Sequence, residues 1–472
     1  MTHTTDSPLQ TSREALFEGQ ALLADPIHNY IPFTVPFNST DETTEKDLID
    51  SKWMQRLRYI FQLQSARWVY PAAEHTRFVH SIGAMHVAGR FARHLYPSLK
   101  DVVSDTPSAA YIEALLRVAV LLHDIGHGPF CHFFDHNVLH RFDLTHEKLG
   151  QTIICQELSH LIQKIKRSPS GFFAPGESLE PEHVAFLIHK EYNYRTPAHY
   201  PRWLVILKPL LSGIFTADNL DYVLRDSFMC GVSIGPIDLN RLIHYTFFTK
   251  EGLTLHKAGL PALTMFLNAR SYLYSNVYYH RTTRSLDTHM KDIFEATIQE
   301  IFPRNPMHHL SAYADLTDWS LLLKVKSWKN ARSSHKRQLC QEWERVLHRD
   351  IKWKMAYDTT LTSDEDASVT PRIHPDKLAE RMRGLLPRKL KDLEFRVDIA
   401  VQDPRPSDPV GMGERQLYVY NPSTGGVSKE GLTEFVSPFP ASLSQCRVFA
   451  LNHDHDAALS HAAETALAEL DQ

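Results

Sequence analysis

Apolar residues recur every three or four positions from about residue 46 to residue 303. This spacing places apolar side chains along one face of a helix. It is clearest in segments 52–63, 78–95, 110–126 and 203–229. A similar pattern returns between about residues 315 and 357. The hydrophobic pattern therefore predicts a large helical body.

The pattern changes towards the C-terminus. Apolar residues alternate with polar ones or run together, as they do in β-strands, in segments 394–403, 415–421 and 446–452, and helical spacing returns at about 455–470. We therefore expect a mainly α fold, an all-helical body with a small C-terminal α/β appendage. The expected organisation is a flexible N-terminus (1–24), a helical core (25–303), a helical extension (304–361), a linker (362–375) and a small α/β C-terminal domain (376–472).

Composition narrows the class of protein. The chain has 472 residues, of which 43% are hydrophobic and 22% charged, and its formal net charge is −4. These values are typical of a globular protein and do not indicate a nucleic-acid coat or a membrane-surface binder. The five cysteines are scattered without a CxxC pair, and neither a signal peptide nor an apolar run of about 20 residues is evident. We therefore expect a cytoplasmic protein with reduced thiols and no membrane partner.

Titratable residues crowd the end of one apolar segment, 118-VAVLLHDIGHGPFCHFFDH-136. The glycines and the proline that follow His123 and Asp124 are expected to end the helix there. Burying an imidazole or a carboxylate costs free energy unless the group is hydrogen-bonded, paired or bound to a metal. The crowding therefore predicts that hydrogen bonds, charge pairs or a bound metal compensate this cost here.

Two side chains cannot hold a metal ion firmly, so further ligands must come from other helices. His80 in 76-TRFVHSIG-83 and Asp218 in 216-TADNLDYVLRDS-227 are the candidates. A single histidine on an apolar helix is more often a hydrogen-bonded core residue, and a His-Asp dipeptide alone means little. Two histidines and two aspartates together form a mixed site that suits manganese, iron, nickel or, with more water, magnesium.

Several motifs are shared with one known family. They are 25-DPIH-28, 55-QRLRYIFQL-63, 76-TRFVHS-81, 121-LLHDIGHGPFCHFFD-135, 145-THE-147 and 218-DNLDYVLRD-226. In these motifs the sequence resembles the HD-domain phosphohydrolases, and within them the dNTP triphosphohydrolases, which include bacterial dGTPases and the vertebrate SAM-and-HD-domain dNTPase. The resemblance covers most of residues 25–285. It implies an HD-domain core in which a divalent metal is bound by His80, His123, Asp124 and Asp218.

The resemblance also implies a reaction, the metal-dependent hydrolysis of a dNTP to the deoxynucleoside and inorganic triphosphate. His132 is the expected proton donor to the leaving 5′-oxygen, because imidazole is the natural donor near neutral pH. His127 is expected beside the phosphate. Asp135 and His146 are expected to form a carboxylate–imidazole pair that sets protonation.

Two trios of side chains are spaced i, i+4 and i+8, so each trio shares one helix face. They are Asp218, Tyr222 and Asp226, and Arg270, Tyr274 and Tyr278. Without the resemblance, core packing explains the tyrosines equally well, and a surface ion pair explains Asp221 with Arg225. The resemblance implies a substrate site formed by Gln62, Leu63, Arg77, Tyr222, Asp226, Arg270 and Tyr278. In this site the two arginines bind phosphate, Tyr278 packs under the deoxyribose and Asp226 meets the 3′-hydroxyl.

Other functions stay open at this stage. HD sites also cleave cyclic nucleotides and nucleic-acid ends, so a phosphodiesterase or nuclease is the main alternative, and a nucleotide-sensing scaffold is a further one. Asp50, Gln55 and Arg58 stand where the vertebrate relative contacts an activating guanine nucleotide, although an ordinary helix surface explains them equally well. The resemblance further implies a homo-oligomer, a dimer or tetramer, with GTP or a dNTP as a possible activator.

Overall fold

The structure is a computed structural model that describes residues 17–37, 42–189, 200–363, 373–402, 417–429 and 442–470. Helices form most of the described chain up to residue 347. Most of the described residues beyond it form a three-stranded sheet with two helices. The expected fold class, a mainly α body with a small C-terminal α/β appendage, is confirmed.

The elements follow one another in chain order, joined by turns and short 3-10 segments. The α-helices are α1 (Glu45–Ile49), α2 (Lys52–Arg56), α3 (Arg77–Val102), α4 (Ala109–Leu122), α5 (His132–Asn137), α6 (His146–Thr152), α7 (Ser159–Ile162), α8 (Pro181–Ile188), α9 (Arg202–Leu207), α10 (Pro209–Ser212), α11 (Ala217–Cys230), α12 (Leu239–His244), α13 (Leu260–Leu273), α14 (Arg281–Ile301), α15 (Leu310–Tyr313), α16 (Asp318–Lys326), α17 (Ser334–Leu347), α18 (Pro375–Leu385) and α19 (Asp456–Leu470). The strands are β1 (Gln20–Asp25), β2 (Asn29–Thr34), β3 (Arg167–Ser168), β4 (Gly171–Phe172), β5 (Thr246–Phe248), β6 (Leu253–His256), β7 (Lys354–Ser363), β8 (Phe395–Gln402), β9 (Tyr418–Asn421), β10 (Gly426–Ser428) and β11 (Ser442–Ala450).

Two long helices form the centre of the body. α3 and α4 pack along each other, and α11 packs against α3. α4 is buried at every position from Ala110 to Leu122. A helix that is apolar on nearly all sides belongs in the middle of a large core. Its last turn therefore brings the residues that follow, His123 and Asp124, directly into the interior.

Two charged residues, Glu113 and Arg117, interrupt α4. Arg117 is fully buried and donates to both carboxylate oxygens of Glu45 in α1, with distances of 2.5 Å from Nε and 2.9 Å from Nη2. Glu45 also accepts the backbone N–H of Thr34 in β2. A buried ion pair is tolerated when hydrogen bonds satisfy both partners. The pair thus connects α1 and β2 to the central helix.

The apolar stretch 203–229 forms three helices rather than one. Pro209 begins α10, and Gly213 follows its last residue. A Cβ atom on Gly213 would lie 2.4 Å from the Pro209 carbonyl oxygen, so glycine permits the chain to leave the helix here. α11 then begins with a capping box of Thr216 and Asn219. This start places Asp218 in the first turn of α11, next to α3.

The N-terminal expectation is wrong in part. Residues 20–24 belong to β1, which pairs with β2 as an antiparallel hairpin, whereas residues 1–16 lie outside the described residues. The Asp25 carboxylate accepts the backbone N–H groups of Ile27 and His28 and so forms the turn. A polar composition had suggested disorder, but the hairpin is held by contacts with distant parts of the chain.

The predicted helix up to residue 357 is also corrected. α17 ends at Leu347, Arg349 adopts a positive φ of 56°, and β7 begins at Lys354. β7 is rich in threonine, a β-branched residue that favours strands. Residues 362 and 363 of the expected linker therefore lie in β7, Pro375 begins α18, and residues 364–372 lie outside the described chain.

The strands after residue 375 divide between two sheets. β8 and β11 form the C-terminal sheet with β7, in the order β7-β11-β8. The predicted strand at 415–421 is β9, which pairs in parallel with β6 of the helical body instead. The C-terminal part of the chain is therefore built into the helical body as well as appended to it. Among the described residues, no helix is long and apolar enough to cross a membrane.

The Glu45–Arg117 pair gives a stability prediction. Glu45→Ala leaves the Arg117 guanidinium buried without its counter-charge, so we expect the free energy of unfolding to fall by about 3–5 kcal/mol. Chemical denaturation followed by circular dichroism measures this loss. Asp315→Ala is the control, because Asp315 pairs with Lys52 on the surface with its side chain 75% exposed, and it should leave stability nearly unchanged. Equal stability of both variants would contradict the prediction.

Candidate metal centre and active site

The four predicted metal ligands converge from three helices. His80 lies on α3, His123 and Asp124 follow the last residue of α4, and Asp218 lies in α11. His80 Nε2 lies 3.2 Å from Asp218 Oδ1 and 3.8 Å from Asp124 Oδ2. His123 Nε2 lies 3.2 Å from Asp124 Oδ1 and 3.6 Å from Asp218 Oδ1. His80, His123 and Asp218 can therefore share one metal ion, and Asp124 lies beside them with a different oxygen towards each histidine.

The protons on the two histidines can be assigned from their partners. His80 Nδ1 lies 2.8 Å from a carboxylate oxygen of Asp221, and His123 Nδ1 lies 2.6 Å from the Val120 carbonyl oxygen. Because an ionised carboxylate and a carbonyl only accept hydrogen bonds, both Nδ1 atoms are the donors. Both Nε2 atoms are buried and face the carboxylates of Asp124 and Asp218 at 3.2 to 3.8 Å. They are the atoms that can bind a metal.

The electrostatics of the site favour a cation. Burial disfavours the imidazolium form of His80, but the carboxylates of Asp218 and Asp221 outweigh it and raise the pKa of His80 to about 10. Burial also opposes ionisation of Asp124, yet the charges of Arg77 and His123 hold the pKa of Asp124 well below its usual range. Buried carboxylates that stay ionised beside imidazole nitrogens fit a divalent metal ion.

Asp221 is a site residue that sequence reasoning missed. It was read with Arg225 as a surface pair, which is wrong, because both side chains are at most 1% exposed. Arg225 donates to both oxygens of Asp221 at 2.8 Å. The same carboxylate accepts from His80 and lies 2.7 Å from Nε2 of His28. Asp221 therefore orients His80, a role that outer partners of metal-binding histidines commonly have.

A second cluster lies beside the metal centre and consists of His127, His132, Asp135 and His146. Asp135 Oδ2 is its centre, 2.7 Å from His146 Nδ1, 3.3 Å from His132 Nδ1 and 3.5 Å from His127 Nδ1. The rings of His127 and His146 stack with centroids 3.7 Å apart. A Cβ atom on Gly126 would lie 2.0 Å from the His146 carbonyl oxygen, so glycine there permits this close approach.

The members of this cluster differ in protonation. Burial and the positive neighbours His146 and Arg77 lower the pKa of His127 to about 4. Burial also tends to lower the pKa of His146. The carboxylates of Asp135 and Glu147 outweigh burial, so the pKa of His146 is raised. Burial opposes ionisation of Asp135, and the imidazoles of His146 and His127 nevertheless hold its pKa well below its usual range. The arrangement is an ionic Asp135–His146 pair beside a neutral His127.

Arg77 links Asp124 to Cys131, the residue directly before His132. Its Nη1 donates to Asp124 Oδ2 at 2.5 Å, and its Nε donates to the thiol sulfur of Cys131 at 3.0 Å. Burial disfavours the charged guanidinium, but Asp124 more than compensates, and the pKa of Arg77 is raised. Arg77 therefore keeps a positive charge in contact with the carboxylate of Asp124, a predicted metal ligand.

A cavity of about 520 Å³ opens onto both clusters. Its size lies in the range of small-molecule sites. Most residues predicted to contact substrate or to act in catalysis line it together with two of the predicted metal ligands. These are Gln62, Leu63, Arg77, Asp124, His132, His146, Asp218, Tyr222, Asp226 and Tyr278.

The wall formed by α11 and the segment after α13 has its own hydrogen bonds. Tyr278 Oη donates to Asp226 Oδ2 at 2.6 Å, and Asp226 Oδ1 lies 2.8 Å from Nε2 of His75. Tyr278 belongs to a π-helical turn, Tyr274–Tyr278, a feature common at functional sites. Gln62 Oε1 is buried and has no hydrogen-bond partner among the described residues, so it can accept from a ligand.

Tyr274, to which no role was assigned, also lines the cavity. Arg270 lies beside it, with its guanidinium carbon 5.8 Å from the centre of the Tyr274 ring. Contact of Arg270 with phosphate stays a prediction.

The C-terminal sheet supplies a wall that sequence reasoning missed. Ile399, Ala400 and Val401 of β8 line the cavity. Arg284 in α14 holds β8 through two hydrogen bonds to Asp398, at 2.9 and 2.5 Å. Tyr279 Oη donates to the Val401 carbonyl oxygen at 2.8 Å. These partners are more than 100 residues apart in the chain, so no local pattern indicates them.

The candidate activator residues lie on a different surface. Arg58 Nε donates to Gln55 Oε1 at 2.8 Å, and Gln55 donates to the Ile49 carbonyl oxygen. Asp50 pairs with Lys46. None of the three lines the cavity among the described residues. They are close to one another on the exposed side of α1 and α2, and nucleotide binding there stays a prediction.

The site and the helical body define a class of protein. Residues 77–184 match the HD domain family, and residues 237–376 match the HD associated region. The first match spans α3 and the His123–Asp124 pair, where metal ligands converge. The chain therefore belongs to the HD-domain superfamily of phosphohydrolases, whose HD domains bind divalent metals.

Individual proteins that resemble this chain share a low sequence identity with it. The chain is 27% identical over 339 residues to an uncharacterised protein of Bacillus subtilis, covering 69% of this chain and 70% of that one. It is 25% identical over 419 residues to the protein of Gallus gallus called deoxynucleoside triphosphate triphosphohydrolase SAMHD1, covering 80% and 63%. Matches to other curated relatives span 47% and 61% of their length. The crystal structure of a hypothetical protein from Aquifex aeolicus has the same fold, with a TM-score of 0.64 and 22% identity over 95% of this chain and 100% of that one.

Asp221 gives a test of the metal centre. Asp221→Asn removes the charge that orients His80, so we expect metal affinity to fall by about 10- to 100-fold, while Asp218→Ala removes a direct ligand and lowers affinity further. Metal content after dialysis against graded metal concentrations measures the change. Asp143→Asn is the control, because the Asp143 side chain is fully exposed. Wild-type affinity in Asp221→Asn would show that Asp221 does not act on the metal site.

Proposed function

We propose that the protein hydrolyses deoxynucleoside triphosphates to deoxynucleosides and inorganic triphosphate. One observation carries the proposal: a single cavity joins Asp124 and Asp218 of the metal centre to His132 and to the Asp226–Tyr278 pair. Metal ligands, a proton donor and a sugar-sized polar wall are what this reaction needs. Relatives called dNTP triphosphohydrolases, at 23–25% identity, support the choice of substrate.

His80, His123, Asp124 and Asp218 would hold the divalent metal, which is manganese, iron, nickel or magnesium by the chemistry of these ligands. When bound, such an ion polarises a phosphoryl oxygen and supplies an activated water. Arg77 lines the cavity and is positive at every working pH, so it binds and orients the triphosphate. Arg270, whose guanidinium lies beside the Tyr274 ring, is the second phosphate-binding candidate.

The second cluster moves the proton. His132 lines the cavity, and its side chain is about half exposed, so it can reach a bound substrate. Its Nδ1 faces Asp135, which leaves Nε2 to donate a proton to the leaving 5′-oxygen. Burial lowers the pKa of His132 despite its contact with Asp135, so the imidazolium form of His132 gives up its proton readily. Within this cluster, the buried and neutral His127 lies between Asp135 and Asp124 and supports the phosphate side of the site.

The sugar is recognised at the opposite wall. The Tyr278 ring packs under the deoxyribose and leaves little room for a 2′-hydroxyl, while its own hydroxyl holds Asp226 in place. Asp226 and the unpaired Gln62 Oε1 then meet the 3′-hydroxyl. Activation by GTP or a dNTP at Asp50, Gln55 and Arg58, and assembly into a dimer or tetramer, stay predictions that rest on the family resemblance.

Product analysis tests the proposed reaction. Wild-type protein loaded with Mn²⁺ is incubated with each dNTP, with cyclic nucleotides and with single-stranded DNA, and products are identified by mass spectrometry. We expect deoxynucleoside and inorganic triphosphate from dNTPs, and no hydrolysis by Asp124→Ala or Asp218→Ala, because each loses a metal ligand. The exposed Asp143→Asn variant should retain full activity.

Other products decide between the remaining functions. Cleavage of cyclic nucleotides or DNA alone would favour a phosphodiesterase or nuclease over a dNTP triphosphohydrolase. Wild-type turnover by Asp124→Ala after chelation and metal repletion would refute the assignment of the metal centre.

Discrimination between deoxyribose and ribose tests the role of Tyr278. We expect kcat/KM for dATP to exceed that for ATP by at least about two orders of magnitude, because the Tyr278 ring leaves little room for a 2′-hydroxyl. We also expect 2′,3′-dideoxy substrates to be poor, because a site built to hydrogen-bond a hydroxyl strongly rejects a substrate that lacks it. Tyr278→Ala should relax the exclusion of ATP. Tyr278→Phe keeps the ring and should keep the exclusion, while activity on every dNTP falls as Asp226 loses its partner. Equal rates on dATP and ATP in the wild type would contradict this role.

A further inference from the structure

The turn of residues 126–131, between the metal ligands and His132, has an unfavourable backbone. Phe130 and Cys131 have positive φ angles of 59° and 51°, although neither is glycine. Cys131 combines its φ with a ψ of −122°, which is the first central position of a type II′ turn, a conformation dominated by glycine. Such residues keep this shape only where the surroundings enforce it. The 126–131 turn therefore needs external support.

That support comes from side chains outside the turn. Tyr313 Oη donates to the Gly126 carbonyl oxygen at 2.8 Å, and Arg56 Nη1 donates to the His127 carbonyl oxygen at 2.6 Å. The backbone N–H of Phe130 donates to Asp318 Oδ1 at 2.8 Å. All three side chains are buried, and all lie outside residues 77–184. The shape of the turn thus depends on α2, α15 and α16.

Asp318 connects this turn to the substrate side of the cavity. Its other oxygen, Oδ2, accepts the backbone N–H of Phe61 at 3.1 Å, directly before Gln62 and Leu63. The Cys131 thiol donates to the Phe61 carbonyl oxygen and accepts from Arg77. One carboxylate, 0% exposed, therefore holds two backbone segments in register.

We propose that Asp318 is a positioning residue that sets the geometry of His132 and Arg77 by holding the 126–131 turn against the 61–63 segment. The role of His132 in proton transfer rests on the proposed function, whereas the support of the turn by Asp318 does not. A carboxylate is required because both neighbours donate. An asparagine offers one oxygen, and its NH₂ group faces an N–H donor in place of the second.

The test compares Asp318→Asn with a matched control. Asp315→Asn makes the same chemical change three residues earlier, at an exposed carboxylate paired with Lys52. Tyr313→Phe is a second variant that removes only the hydroxyl donated to Gly126. For each Mn²⁺-loaded protein, kcat and KM for dATP and bound metal are measured, and histidine ring signals are recorded by NMR on the Mg²⁺-loaded protein.

We expect Asp318→Asn to lower kcat by about 10- to 100-fold, the factor for losing one hydrogen bond to a charged group, with bound metal at the wild-type level and KM changed far less. Tyr313→Phe should lower kcat by about 2- to 10-fold, as expected for one neutral hydrogen bond. The NMR signals of His127 and His132 should shift in both variants, and Asp315→Asn should match the wild type.

Three outcomes would overturn the proposal. The first is that kcat and the histidine signals are unchanged in both Asp318→Asn and Tyr313→Phe. The second is that kcat falls as much in Asp315→Asn as in Asp318→Asn. The third is that bound metal falls in parallel with kcat, since this result indicates general disruption of the protein. If the wild type hydrolyses no dNTP, the proposed function fails, and the shifts of His127 and His132 still decide whether Asp318 supports the turn.

Discussion

The candidate centre depends on the buried ion pair of Asp221 and Arg225. A Cβ atom on Gly83 of α3 would lie 2.1 Å from both Arg225 Nη2 and Asp221 Oδ1, so the pair occupies the space that this glycine leaves between α3 and α11. Burial opposes ionisation of Asp221, but Arg225 outweighs it and holds the pKa of Asp221 well below its usual range. Such a pair need not add stability. What it provides is a permanent acceptor that keeps the His80 proton on Nδ1 and leaves Nε2 for a metal.

This constraint extends to the N-terminal hairpin. Arg225 also donates to Asp25 at 2.8 Å, and His28 lies against Asp221, so the turn between β1 and β2 is bound to the same charges. The motif 25-DPIH-28 was noticed only through a family resemblance. In the structure it has a physical reason, since Asp25 and His28 complete the shell of hydrogen bonds around a buried guanidinium and a buried carboxylate. Order in residues 20–34 thus depends on the metal centre's outer partners.

The sequence was sufficient for features that follow from helical spacing. The apolar period located α3, α4 and α19 and put His80 and Asp218 on predicted helices, whereas the grouping of His80, His123, Asp124 and Asp218 was implied by the family resemblance. Helical spacing was insufficient for Asp221, because an i, i+4 Asp–Arg pair has the same spacing on an exposed face and a buried one. The sequence also did not reveal β7, which is paired along its length with β11, a strand about 90 residues later in the chain. The supports of the 126–131 turn were equally hidden, since Phe130 and Asp318 are 188 positions apart.

The position of α14 explains why the C-terminal sheet matters to the site. α14 follows the π-helical turn that bears Tyr278, and one side of its first two turns, with Thr283, Arg284 and Asp287, lines the cavity. Arg284 makes a bidentate contact with Asp398, the kind of planar pairing in which arginine is most specific. Because β8 is an edge strand of its sheet, its outer side is left to face α14 and the cavity. The cavity is therefore closed by a tertiary contact rather than by the HD domain alone, and a displacement of β8 along α14 changes the wall that a ligand meets.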